Sequence, residues 1–154
     1  MLDESRFTEK PYGYSEYLEI LTSIISGYNQ PLKTDHLQLF EHCLMPLHRH
    51  RFISHFRHNL VKAVSTFINK DESLSCLAIL TCLKYWSLVN SSNEVACLSE
   101  VETYLNLLKS TSHLNDICVS LIKRVSLCAC SLNWEVSERA LYLLHNPVLL
   151  QLLK

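Results

Sequence analysis

Glycine and proline are scarce: the chain of 154 residues holds 2 glycines and 4 prolines. That removes the raw material for a β-rich fold built on many tight turns. No alternating strand pattern, hairpin dipeptide or glycine-rich phosphate loop is present. Net charge is equally slight, −1 at neutral pH, so no overall field draws in nucleic acid or an anionic membrane surface. Apolar runs are broken by Lys, Asn or Glu before they reach the roughly 20 residues that a membrane span needs, so no transmembrane helix is expected. The opening MLDESRFTEK has no apolar stretch after a basic start, so no secretory leader is expected. The seven cysteines are an odd number without a C-x-x-C pair, which points to reduced, mostly buried thiols in the cytoplasm or nucleus and not to a disulfide framework. A nucleophile with a placed base, or paired catalytic carboxylates at a recognisable spacing, is also missing, so neither enzymatic activity nor a cofactor is expected.

What the chain does have is apolar residues at helical spacing, 48% of the total. The most apolar segment is Leu74 to Trp86, LSCLAILTCLKYW. A helix that is apolar nearly all round has to be covered on several sides, so its neighbours must be other helices. Upstream, Tyr14, Tyr17, Leu18, Leu21, Ile24, Ile25 and Tyr28 follow a period near 3.6, and Gly27 with Asn29-Gln30-Pro31 ends that helix. Thr34 or Asp35 can cap a second helix with the stripe Leu37, Phe40, Cys43, Leu44 and Leu47, which Pro46 kinks or ends. His48 to His58 reads as a polar loop with a short helical turn. Leu60, Val61, Val64, Phe67 and Ile68 share one face of the next helix, and the central helix runs from about Ser73 to Ser87.

Asn93 is available to cap a helix carrying Val95, Leu98, Val101, Leu105 and Leu108. Leu114 to Cys128 reads as the longest helix, and Trp134, Ala140, Leu141 and Leu144 mark another. Asn146-Pro147 opens a last one at Val148. Paired as hairpins, the helices start near residues 14, 58, 94 and 134, close to the HEAT and armadillo period of roughly 40 to 47 residues. The expected architecture is an all-α, HEAT-like solenoid of about four antiparallel helix pairs over residues 13–154, after a poorly ordered lead-in over 1–12. Each pair relies on its neighbours to bury its apolar face, and terminal repeats normally turn a polar face outward. The VLLQLL near the C-terminus is not such a cap.

Several clusters invite sharper readings. Cys43, His48, His50, His55 and His58 are zinc-type ligands in a short span, yet they lack a paired H-x-x-x-H frame, so no metal is expected. Arg49, Arg51 and Arg57 with Phe52 and Phe56 form a short basic, aromatic strip that could stack on single-stranded RNA. In a net acidic chain a solvated loop between repeats is the better reading, and no nucleic-acid partner is expected. Cys128 and Cys130 beside Arg124 read as buried helix cysteines and not as reactive thiols. Lys84-Tyr85-Trp86 reads as aromatic wedges between repeats, and Glu138-Arg139 as charges that fix helix register.

Laid out in order, the strings YLEILTSIISGYNQPLKTDH, LMPLHRHR, LVKAVSTFINKDESL, LKYW, NEVACLSEVETYLNLL and VSERALYLLHN closely resemble the B-prime regulatory subunits of the type 2A serine/threonine protein phosphatase. The match is collinear from about Gly13 to the C-terminus. This resemblance implies a HEAT-like, non-catalytic subunit that docks on the phosphatase scaffold and catalytic subunits and captures substrate proteins through a short LxxIxE motif. It further implies that Ile20 and Ile24 line the apolar part of the motif groove, and that Lys33 and His36 receive its acidic end. The family's groove arginines fall upstream of the matched region and residues 1–12 do not supply them, so motif binding is expected to be weak. HRHRFISHFRHNL and LLHNPVLLQ depart from the family pattern, and its later repeats are not matched. Self-association through exposed terminal faces is a further expectation. The alternative reading is a helical-repeat protein–protein adaptor without phosphatase association.

Overall fold

A computed structural model describes residues 12–110 and 112–152 of the chain. The lead-in expected over 1–12 lies outside these residues except for Tyr12. The described residues form eight α-helices and no strand: α1 (Tyr14–Ser26), α2 (Thr34–Leu39), α3 (Arg57–Lys70), α4 (Leu74–Lys84), α5 (Ser91–Asn106), α6 (Cys118–Ala129), α7 (Trp134–Leu144) and α8 (Pro147–Leu152). α3 packs on α4, α4 on α5, α6 on α7 and α7 on α8, and α1 packs on α3 as α5 packs on α7, while α4 also meets α6. The all-α stack of four helix pairs read from the sequence is what these residues build.

The repeat period is written in the hydrogen bonds that join one pair to the next. Asn59 donates to the Ser15 carbonyl 44 residues away. Arg57 reaches Glu100 across 43 residues, Arg139 reaches Ser99 across 40, and the amide of Asn146 reaches Asn106 across 40. Equivalent positions of adjacent repeats are therefore joined along one side of the stack, as a solenoid in which each unit contacts only its neighbours requires.

The core runs through the stack as one apolar seam. Leu60, Ala63, Val64, Phe67 and Ile68 of α3 are buried between its neighbours. Each large side chain of that set contributes about 1.5–3 kcal/mol on burial. In α4, Leu74, Ala78, Ile79 and Cys82 are buried together with the small polar Ser75 and Thr81. The Ser75 hydroxyl donates to the Glu72 carbonyl just before the helix and that of Thr81 to the Leu77 carbonyl within it, so neither hydroxyl is orphaned. The helix ends at Lys84, short of the expected Ser87, where Tyr85 bonds back to Thr81. Trp86 beyond it is buried, and the Arg124 guanidinium of α6 lies 5.9 Å over its ring, the wedge role expected for it.

Several sequence expectations need correction. Asn90, not Asn93, caps α5, accepting from the amides of Ser92 and Asn93, because the helix begins three residues earlier. The longest helix is α5 with 16 residues, whereas Leu114–Cys128 is interrupted and α6 starts only at Cys118. Cys43 is exposed: a π-helical turn over Phe40–Leu44 inserts an extra residue into the winding, which turns Leu44, Met45 and His48 inward and Cys43 out. Cys130, expected in the core, is exposed as well, while Cys128 is buried. Trp134 and Leu141 sit outside the core at 70% and 49% exposure, because α7 buries only Val136, Ala140 and Leu143. The segment from His48 to His58 is no solvated loop: it makes 3-10 turns that bury His48, Ile53 and Phe56 and runs directly into α3.

Candidate functional site

The first hairpin carries the residues singled out by resemblance. Gly13 takes φ +88°, a conformation that favours glycine, and so turns the chain into α1. Among the described residues α1 packs chiefly on α3, so its apolar residues split between two faces. Leu18 and Ile25 are buried, whereas Tyr17, Ile20 and Ile24 are exposed, Ile20 at 59% and Ile24 at 52%. This corrects the single apolar stripe read along the helix, since Tyr17 and Ile24 leave the core. The hydroxyls of Thr22, Ser23 and Ser26 fold back onto backbone carbonyls of the same helix.

At the C-terminal end of α1 the chain is tied to α3. Lys70 Nζ donates at 2.8 Å to the carbonyls of both Ser26 and Tyr28, and the Gln30 side chain donates to the Lys70 carbonyl at 3.0 Å. The Lys70 cation is thus used to close otherwise open carbonyls of a helix end. Lys33 is exposed and stands in extended conformation immediately before α2. His36, half-buried, accepts the Lys33 backbone N–H at Nδ1 (3.3 Å) and lies parallel to the Tyr28 ring, with centroids 3.8 Å apart and 3° between planes. The structure thus brings Lys33 and His36 together at the head of α2 and Ile20 and Ile24 together on α1.

A second constellation was not anticipated. Glu100 of α5 is fully enclosed, and its carboxylate accepts from His48 Nε2 at 2.7 Å, Arg57 at 2.6 Å and the Tyr104 hydroxyl at 2.7 Å. The other ring nitrogen of His48 faces the Met45 carbonyl at 3.0 Å. Both ring nitrogens of His48 therefore lie within hydrogen-bond distance of an oxygen. Burial alone would push the Glu100 carboxyl up, but the His48 hydrogen bond and charge, then Arg57 and Tyr104, hold it down at about 2. Burial first, and the Glu100 charge second, push the Tyr104 hydroxyl and the Cys82 thiol well up.

His48, Cys82 and Glu100 also place metal-type ligand atoms within 4.8 Å of one another. Each is already committed to a hydrogen bond: Nε2 of His48 and the Cys82 thiol both reach the carboxylate. That mutual satisfaction makes the cluster an architectural tie between α5 and the first two repeats. The other members of the sequence-level ligand set are scattered. Cys43 is exposed, and His50 packs against Tyr14 and Phe56 with ring centroids at 5.3 and 5.5 Å. The signal in the sequence was Glu100 itself, an inward position flanked by Cys97, Val101 and Tyr104, because a carboxylate at a core position demands cations one repeat away.

At the other end of the stack, Arg139 pairs with Glu102 and donates to Ser99 Oγ at 3.1 Å, which fixes α7 on α5. Glu138 takes no part in this tie: it is exposed and lines an open apolar groove of about 610 Å³ together with Trp134, Leu141 and Tyr142.

Stacked helix pairs tied at one repeat period, with an exposed apolar strip on the first hairpin, define a helical-repeat protein of the HEAT-like class. The family model described as the protein phosphatase 2A regulatory B subunit (B56 family) matches residues 3–154. In Oryza sativa subsp. japonica, the B' kappa isoform of the 57 kDa regulatory subunit of serine/threonine protein phosphatase 2A is 35% identical over 146 residues, covering 95% of this chain and 28% of that protein. The 59 kDa B' eta isoform from Arabidopsis thaliana is 37% identical over 139 residues, covering 90% and 27%. The 56 kDa beta isoform from Oryctolagus cuniculus is 39% identical over 142 residues, covering 92% and 28%. The chain belongs to the B56 family of protein phosphatase 2A regulatory subunits, a family of regulatory and not catalytic chains. It spans between a quarter and a third of the length of these relatives.

Proposed function

We propose that this chain acts as a non-catalytic regulatory module that binds subunits of the type 2A phosphatase and presents substrate peptides through its first hairpin. The observation that carries the reading is the family match over residues 3–154. A second supports the hairpin: Ile20 and Ile24, a turn apart on α1, keep an apolar surface open, and Lys33 meets His36 at the head of α2 in the same hairpin. Apolar side chains of an extended ligand fit the isoleucines, and an acidic or phosphorylated side chain fits the cationic turn. The buried thiols Cys82 and Cys97 suit a reducing compartment, the cytoplasm or nucleus. The exposed faces of α1 and α7 suit self-association.

The test is a pull-down of purified scaffold and catalytic subunits by the folded chain, followed by light scattering of the chain over a concentration series. Retention of either subunit is the expected result. Failure to retain both, with circular dichroism showing an intact helical fold, overturns the phosphatase reading in favour of an adaptor with other partners. A mass constant at the monomer value across the series removes self-association.

A further inference from the structure

The orientation of His36 is determined by two independent contacts, and they lead beyond the groove reading on which this inference rests. A parallel stack on Tyr28 leaves an imidazole only a half-turn flip within its plane, because any other rotation drives an edge into the phenol ring. The Lys33 backbone N–H then selects one of the two flips, since it needs an acceptor and Nδ1 supplies it at 3.3 Å. A nitrogen that accepts carries no proton, so the neutral ring is the Nε2–H tautomer. His36 thus presents a donor, not an acceptor, to whatever approaches its outer edge.

Tyr28 is itself held from behind. Its ring lies 6.2 Å from that of Phe67, which is fully buried and meets Phe40 edge-on at 5.2 Å. Its carbonyl is fixed by Lys70 Nζ at 2.8 Å. An aromatic ladder therefore runs from the core to the surface, Phe40 to Phe67 to Tyr28, and ends on His36. We propose that Tyr28 is a positioning residue for ligand recognition: its ring holds His36 as a fixed Nε2–H donor that selects an oxyanion on the peptide over a neutral isostere.

The test combines the ligand-free chain with two peptides of the Leu-x-x-Ile-x-Glu pattern, one carrying Glu at its acidic position and one carrying Gln. Nitrogen-15 NMR of the histidine rings at about pH 8, above the ordinary histidine range, is expected to show His36 as a single Nε2–H tautomer. Tyr28→Phe keeps that state, and Tyr28→Ala gives a tautomer mixture. In fluorescence polarisation the wild-type chain and Tyr28→Phe are expected to prefer the Glu peptide by about tenfold, the worth of one charge-assisted hydrogen bond. Tyr28→Ala and His36→Ala reduce that preference to about twofold or less while still binding the Gln peptide. An Nδ1–H tautomer in the wild-type chain overturns the proposal, as does an undiminished Glu preference in Tyr28→Ala. An equal loss for both peptides in Tyr28→Ala also overturns it, since that reports a structural role alone. Wild-type chain that binds neither peptide overturns the groove reading itself, an outcome distinct from binding that ignores Tyr28.

Discussion

His36 and His48 stand at opposite ends of the second limb of the first repeat, and each has a cation close by: Lys33 in one case, Arg57 in the other. Around His48 the basic groups converge on Glu100, whose carboxylate takes both His48 Nε2 and Arg57, and His48 and Glu100 are shut away from solvent. Around His36, among the described residues, the polar partner of the ring is a backbone amide at Nδ1, and Lys33 is exposed beside it. The difference lies in the availability of the partner, not in residue type. Where the next repeat delivers a carboxylate, the basic groups become a tie between helices. Where none arrives, the same chemistry is left at the surface for a ligand. The conspicuous basic run HRHRFISHFRH therefore contributes to architecture, and the unremarkable Lys33 and His36 are the candidates for binding.

Breaking the inner member of the comparison should produce the largest effect. Glu100→Ala removes the one anion that serves His48, Arg57 and Tyr104, leaving buried cations without a counter-charge. Removal of one partner from such a cluster costs about 3–5 kcal/mol, a large part of a domain's stability. Urea unfolding followed by circular dichroism should show the midpoint falling by that equivalent. A loss below about 1 kcal/mol would mean that the cluster is hydrated and not a tie.

Acid should reproduce part of this loss without mutation. The folded Glu100 carboxyl lies at about 2 against an ordinary value of 4.5, so its folded-state value is depressed. Its contribution is fully present above the unfolded value and is lost as pH falls from about 4.5 towards 2, on the order of 3 kcal/mol in all. Denaturant midpoints across that window should decline more steeply for the wild-type chain than for Glu100→Gln, which has no proton to take up there. Parallel declines would place the acid sensitivity elsewhere.

A half-exposed ion pair sits between the two extremes. Arg139 and Glu102 keep 33% and 23% of their side-chain surface in solvent, so screening discounts their attraction. Arg139→Ala is expected to cost no more than about 1 kcal/mol, with about 0.5 M salt removing much of the difference by screening. A loss comparable with that of Glu100→Ala would show that this pair, and not the buried cluster, holds the repeats in register.

Much of the fold was legible because the apolar period of α3 and the buried stretch of α4 are strong local signals, and because the hairpin starts recur at intervals of roughly 40 residues. The cap at Asn90 and the π turn at Phe40–Leu44 were not legible. Both depend on which carbonyl a given amide finds, and hydrophobic spacing is blind to that choice. The Glu100 cluster escaped for a different reason: its members lie 43 and 52 residues apart, so only the stacking of repeats brings them together. Ile20, Ile24, Lys33 and His36 came from family resemblance. Helical spacing would have put Ile24 in the core, and the packing of α1 chiefly on α3 leaves both isoleucines outside it.

The smallest stability effect therefore tests the outer member of the comparison most sharply. Ile24 and Ile25 are adjacent isoleucines of α1, one at 52% exposure and the other at 0%. Serine at Ile20 and Ile24 together removes apolar surface that contacts no core, so the urea midpoint should stay within about 0.5 kcal/mol of the wild-type value. The same double substitution removes the only apolar side chains that the hairpin reading assigns to ligand contact, so affinity for a Leu-x-x-Ile-x-Glu peptide should fall about tenfold or more, at roughly 1–2 kcal/mol for each anchor. Stability retained with binding lost separates a recognition surface from a packing surface. Unchanged binding in a stable double variant would remove α1 from the ligand site and leave its exposed strip as a face for helix stacking alone.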